Sequence, residues 1–201
     1  MRKKSVGYEY LNRNGDFKID SPDESSGLYF PIAGEGGIKS SLTPNLGGDC
    51  KVSQNQFLME PVSIENLHNN KSTRNFWCHT CLGENWSATG SSAENRTKGF
   101  SEHKEENNLE AGFMWQKIWR KSVDCGLSAE ITSFVPVTEN VEIMYVRIRN
   151  IGLRAKTLTP TGVVPIYGRS ADNIRDHRHV TSLLHRIWTL DRSVCVSPTM
   201  S

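Results

Sequence analysis

The chain has 201 residues, with 24 Lys and Arg against 22 Asp and Glu, a formal net charge of +2. That balance excludes the strongly basic surface that nucleic acid or an anionic membrane requires of a partner. Hydrophobic residues make up 36% of the chain, enough to bury a core, and no apolar run approaches the eighteen or so residues of a membrane span. The start, Met1-Arg2-Lys3-Lys4, is basic but lacks the apolar stretch of a signal peptide, so the expected location is the cytoplasm. The sequons at Asn70, Asn85 and Asn95 then read as chance matches.

The first half is rich in Gly, Ser and Asn. Short apolar pieces, Leu28–Ile32 and Phe57–Met59, alternate with turn signals at Asn14-Gly15, Gly34–Gly37, Pro44-Asn45 and Gly47-Gly48, which predicts short strands. Residues 88–110 carry almost no apolar content and read as an exposed loop with a helical turn at Ser101–Asn107. From Ala111 onward Phe113, Trp115, Lys117 and Trp119 alternate with Met114, Gln116, Ile118 and Arg120. Trp115 and Trp119 share one face, which predicts at least one of them in the core. Ala129, Ile131, Ser133 and Val135 form the next alternation, and Met144, Val146 and Ile148 the one after it, opposite Arg147 and Arg149. Leu158 to Tyr167 is a further run, in which Pro160 and Pro165 mark an edge strand or bulges. Strands at this spacing without intervening helical patterns predict an all-β antiparallel sandwich. Val180, Leu183, Leu184 and Ile187 fit a helix and a strand equally well. Val194 to Ser201 reads as a strand at which the chain stops, as a truncated reading frame would.

Two clusters offer chemistry. Trp77-Cys78-His79-Thr80-Cys81 has the W-C-x-x-C form of a redox site, but polar residues precede it and Leu82-Gly83-Glu84-Asn85 follows, so the required strand and helix are missing. As a zinc site it supplies two of about four ligands. The five cysteines are odd in number and dispersed, which favours reduced thiols at a hairpin. The second cluster, Tyr167 to His179, packs three Arg, two Asp and two His. Arg169, Asp172, Arg175, Asp176, Arg178 and His179 suit either recognition of sugar hydroxyls, phosphate or carboxylate, or an ion-pair network that pins a loop. The five tryptophans serve either sugar stacking or packing. No GxSxG, P-loop or GxGxxG template is present.

The stretches LEAGFMWQKIWR, GLSAEITSFVPVTENVEIMYVRIRN and PTGVVPIYGRSADNIRDHRHVTSLLHRI resemble the N-terminal region of glycoside hydrolase family 94 phosphorylases. LYFPIAGEGGIKSSLTPNLGGD and WSATGSSAE extend the resemblance over roughly Gly27 to Met200. The subgroup it most resembles is the cellobiose-phosphorylase-like and 1,2-β-oligoglucan phosphorylases. The resemblance implies a β-supersandwich of the galactose-mutarotase-like type, incomplete at its C-terminus. It divides the chain into 1–26, an N-terminal extension or first strand, and 27–201, the sandwich, with the catalytic α/α barrel absent. It further implies inverting phosphorolysis, in which a barrel Asp is the general acid and inorganic phosphate the nucleophile, with no cofactor or metal. No residue of this chain inherits the acid role. The implied partners are a β-glucan oligosaccharide and inorganic phosphate, met through the barrel, and a second copy in a homodimer. The Arg169–His179 cluster then borders the substrate cleft, and the 180–188 segment becomes a strand. The other reading is a stand-alone carbohydrate-binding or structural sandwich module. A cut sandwich also predicts bare apolar faces and self-association.

Overall fold

The computed structural model describes residues 7–25, 28–62, 72–98, 104–170 and 185–198. The largest sheet is antiparallel and six-stranded. It runs in the order β1 (Tyr8–Tyr10), β2 (Phe17–Asp20), β9 (Glu106–Gly112), β10 (Trp115–Ser122), β11 (Leu127–Phe134), β12 (Ile143–Asn150). Its register lines up Ile19, Leu109, Ile118, Ile131 and Val146 across five strands. Period-two alternation places this row on one face, and all but the half-buried Val146 are fully buried. Each such side chain contributes about 1.5–3 kcal/mol on burial.

A second sheet faces that row. It orders β14 (Arg169–Ser170), β6 (Gln56–Met59), β5 (Cys50–Lys51), β4 (Lys39–Leu42) and β3 (Phe30–Ala33). Ile32, Leu42 and Met59 project from it into the same core. A third sheet, β13 (Leu158–Val163), β7 (Asn75–Thr80) and β8 (Asn85–Ser87), adds Cys78 and Trp86. Pro160 lies in its edge strand β13, where the missing N–H costs least, as the sequence predicts. Among the described residues the hairpin β15 (Arg186–Leu190) and β16 (Ser193–Ser197) pairs only with itself, and it exposes Ile187, Trp188, Leu190 and Val194. Of the ambiguous 180–188 segment, Arg186–Trp188 is therefore strand, and residues 180–184 lie outside the described residues.

Three expectations need correction. The alternation read from Ala111 is broken at Phe113-Met114, a two-residue turn between Gly112 and Trp115. Met114 takes φ 62° there, a left-handed conformation for which the sequence carries no Gly or Asn signal. Trp115 and Trp119 are only half-buried, because the inward face of β10 is that of Gln116, Ile118, Arg120 and Ser122. Residues 88–110 are not one exposed loop. The helix α1 occupies Ala93–Lys98, Glu106 and Asn107 are strand, and Ala88, Thr89 and Leu109 are fully buried. Polarity misleads in this stretch because its polar groups bond one another.

The three sheets meet at a buried ion pair. Arg74, 2% exposed, precedes β7 and forks onto Glu142, which precedes β12, through Nε to Oε1 and Nη2 to Oε2. The Ser40 hydroxyl of β4 donates to the same Oε2. Arg74 Nη2 also donates to the Asp49 carbonyl at 3.0 Å. Removing one member of such a pair strands the other charge away from water, at about 3–5 kcal/mol. Glu142→Ala is therefore expected to lower the urea-unfolding free energy by about that amount. An Arg74→Met/Glu142→Leu double variant should lose less than Glu142→Ala alone. Equal losses would show that the pair does not bridge the sheets.

Candidate functional site

Where the inward face of β10 runs off the apolar row, it carries Arg120, 4% exposed, at the floor of a cavity of about 660 Å³. The walls come from separate stretches: the 3-10 turn Pro22–Glu24, the loop with Thr43, Asn45, Gly47 and Gly48, Gly90-Ser91, α1, and the lead into β9 at Lys104–Asn107. Two glycines are required by this geometry. Gly48 has φ +106°, and a Cβ there would strike the Ser41 carbonyl. Gly90 has φ +77°, and a Cβ would fall on the Arg120 guanidinium. Asn75 braces the Ser87–Ser91 turn from behind. Its Oδ1 accepts from Ser87 Oγ and Thr89 Oγ1, both at 2.8 Å, and its Nδ2 donates to the Ser91 carbonyl at 2.9 Å.

Arg120 spans two carboxylates, donating from Nη2 to Asp23 Oδ2 at 2.6 Å and from Nη1 to Glu105 Oε2 at 3.3 Å. Glu105 also accepts from Asn95 Nδ2 at 3.2 Å and from the buried Trp86 indole Nε1 at 3.0 Å. Asn107 Nδ2 donates to Asp23 Oδ2 at 3.1 Å. Burial pushes the Glu105 carboxyl above its ordinary value, against the pull of Arg120 and its hydrogen bonds. At the rim Lys104 pairs with Glu24 at 3.1 Å, and Lys98 holds both Glu94 and Asp124 at 2.8 Å. The arrangement is a polar, internally bonded cluster. Its carboxylates are engaged as acceptors of fixed donors.

None of this cluster was singled out in the sequence. The available signal was a charged residue, Arg120, two positions from Ile118 on an alternating strand. Of the residues that were singled out, Arg169 is buried in β14, paired in register with Phe57. Asp172, Arg175, Asp176, Arg178 and His179 lie outside the described residues. Cys78 is fully buried in β7 and Cys81 is exposed in the turn after it, so the CxxC lies on a hairpin. All five thiols are free. Burial, with Cys125 nearby, pushes the Cys78 thiol up to about 11. Among the described residues no three His, Cys, Asp or Glu side chains converge as a metal site, and no helix is long and apolar enough to cross a membrane.

Antiparallel sheets packed around one apolar core define a β-sandwich domain. The family model of the glycosyl hydrolase 94 supersandwich domain matches residues 67–197, about two thirds of the chain. The chain therefore belongs to the glycosyl hydrolase 94 family. No curated protein matches it. Strands β1–β6 precede the matched stretch, yet β2 pairs with β9, and β6 with β14, inside it.

Two outcomes follow from these surroundings. A maleimide probe should label Cys81 in the native chain, and label Cys50, Cys78 and Cys125 only after unfolding, as read by mass spectrometry. Rapid native labelling of Cys78 would contradict its burial. A carboxyl raised in the folded state binds more protons there than in the unfolded chain. Stability contributed by Glu105 is thus highest at low pH and falls as pH rises from 4.5 through the raised value. Urea titrations across that window should show the fall, and Glu105→Gln should flatten it.

Proposed function

We propose that the chain is the non-catalytic N-terminal sandwich of an inverting β-glucan phosphorylase of the cellobiose or 1,2-β-oligoglucan kind. The observation that carries this reading is the supersandwich match over residues 67–197. Of the carboxylates that line the cavity, Asp23 and Glu105 are held by Arg120 and Glu24 by Lys104. Phosphorolysis needs no second carboxylate, because phosphate itself attacks the anomeric carbon. The general acid belongs to an α/α barrel, which meets the β-glucan oligosaccharide and inorganic phosphate and works in a homodimer, in the cytoplasm.

In this reading the sandwich borders the substrate cleft through Arg169, Asp172, Arg175, Asp176, Arg178 and His179. Guanidinium forks suit sugar hydroxyls and phosphate. The test is an assay of the protein that carries this chain together with its barrel, supplied with phosphate and either cellobiose or 1,2-β-glucan. Release of α-glucose 1-phosphate is expected from one of them. Arg175→Ala or Arg178→Ala should lower kcat/KM by about tenfold or more, a loss of about 1.4 kcal/mol of transition-state stabilisation, with the melting temperature held. Absence of any sugar phosphate would overturn the phosphorylase reading. Loss of activity in step with stability would remove the cleft role of the two arginines.

A further inference from the structure

The edges of the four sheets are not alike. An edge strand offers a row of N–H and C=O groups to any other strand, and proteins guard such rows with charge, proline or brevity. β1 carries Glu9, β3 Pro31, β12 Arg147, β13 Pro160 and β15 Arg186. β8 and β14 are three and two residues long. β16 has none of these guards. It is five residues, Ser193-Val194-Cys195-Val196-Ser197, without charge or proline, and among the described residues it pairs with β15 alone.

The hairpin that carries this edge is tied down at its base. His185 Nε2 donates to the Tyr167 carbonyl at 3.1 Å, and Pro198 lies so close to Gly168 that a Cβ there would strike it. Beyond the base Ile187 and Val194 are exposed on one face, and Trp188 and Leu190 on the other. A two-stranded hairpin alone is marginally stable in water, and further strands secure it.

β16 reads the same in both directions. Antiparallel pairing with a second copy, about a two-fold axis through Cys195, sets Ser193 against the partner's Ser197, Val194 against the partner's Val196, and Cys195 against the partner's Cys195. The backbone groups fit this register. The two-residue turn Asp191-Arg192 makes Leu190 and Ser193 the closing pair, which such a turn hydrogen-bonds. Bonded and non-bonded pairs alternate from there. Ser193, Cys195 and Ser197 thus spend their N–H and C=O groups on β15, while Val194 and Val196 aim theirs outward. Each outward Val194 exchanges both bonds with the partner's Val196. The two Cys195 residues form a non-bonded pair with Cα atoms about 4.5 Å apart, inside the range of about 4.4–6.8 Å that a disulfide spans.

We propose that β16 is a docking strand for a second copy of this chain, which adds to it antiparallel about a two-fold axis at Cys195 and makes one four-stranded sheet of two hairpins. The interface lies within this chain, needs no barrel, and does not rest on the phosphorylase reading. Five residues a side is small against the roughly 20–30 of a stable interface, so the pairing depends on concentration.

The test is sedimentation of the full chain under reducing conditions, followed by oxidation with diamide. The oxidation joins two Sγ atoms, and the N=N bond of diamide takes up their two electrons and two protons. A concentration-dependent dimer is expected. Mass spectrometry should find Cys195–Cys195 linkage at about tenfold or more over Cys81–Cys81, although Cys81 is the more exposed thiol. Random collision gives the reverse order. Val196→Pro removes an outward N–H and no bond to β15, and should weaken the dimer about tenfold or more. Ser193→Lys with Ser197→Lys sets like charges against each other at both ends and should weaken it too, whereas Ser193→Asp with Ser197→Lys sets unlike charges together and should preserve it. Thermal melts establish that each variant is folded, and if Val196→Pro is not, the two charge variants decide. A monomer at up to about 1 mM overturns the proposal. So does linkage led by Cys81, or equal dimerisation of the two charge variants. Release of sugar phosphate by the barrel-bearing protein, with this chain monomeric, would sink the docking strand and leave the phosphorylase reading standing.

Discussion

The fork of Arg74 onto Glu142 is the contact on which the arrangement of the sheets depends. Apolar burial drives the sheets together, but it is non-directional and would tolerate a slide of one sheet over another. A bidentate guanidinium–carboxylate pair does not, because both partners must be satisfied at once. Arg74 also takes the Asp49 carbonyl, and its own backbone N–H donates to the Leu46 carbonyl at 3.0 Å. The loop between β4 and β5 is therefore held by the residue that joins the sheets. Leu46 is fully buried within it at φ 60°, a conformation that a leucine keeps only when its surroundings impose it. That loop is one wall of the cavity. Buried ion pairs add little net stability compared with apolar replacements, so the value of this one lies in position.

The cavity arises from a change of character along a single strand. On the inward face of β10, Ile118 belongs to the apolar row and Arg120, two residues on, belongs to the charged cluster. Asn107 sits opposite Arg120 in the register, as Leu109 sits opposite Ile118. The sheet is thus an apolar core surface over one stretch and a charged, hydrogen-bonded surface over the next. Gly90 lets the Ser87–Ser91 turn press on the guanidinium, and Asn75 holds that turn from behind. Support of this kind, in which the groups at the site are fixed by a further layer of bonds, keeps a polar space open in water.

Much of the architecture was legible. β11 and β12 follow their alternations, Pro160 marks an edge, and the surroundings of Cys78 and Cys81 rightly argued against a redox helix. The failures share a cause. Trp115 and Trp119 look like core and Arg120 looks like surface, yet the strand turns the other way because Arg120 finds two carboxylates from residues far off in sequence. The turn at Phe113-Met114 carries no turn residues, and the pairing of β9 with β10 forces it. The helix at Ala93–Lys98 and the strand entering at Glu106 are too polar for periodicity to show. Of the six residues read as bordering a substrate cleft, Arg169 alone lies within the described residues, and the candidate site came from tertiary contacts that no local spacing encodes.

The six-stranded sheet also has an order built into it. β9, β10, β11 and β12 are consecutive hairpins within residues 106–150, so each pairing closes a short loop. β2 reaches β9 only across more than eighty intervening residues, and the Arg74–Glu142 fork closes a separation of 68. Closing entropy grows with loop length, and local pairings are reached sooner than distant ones. The meander is thus a template available early, and the N-terminal strands and the cavity walls are late arrivals that it must wait for. Until they dock, Arg120 has neither Asp23 nor the Gly90 turn against it, and the apolar row from Leu109 to Val146 stands uncovered. This interval is when the chain is most open to pairing with the wrong partner.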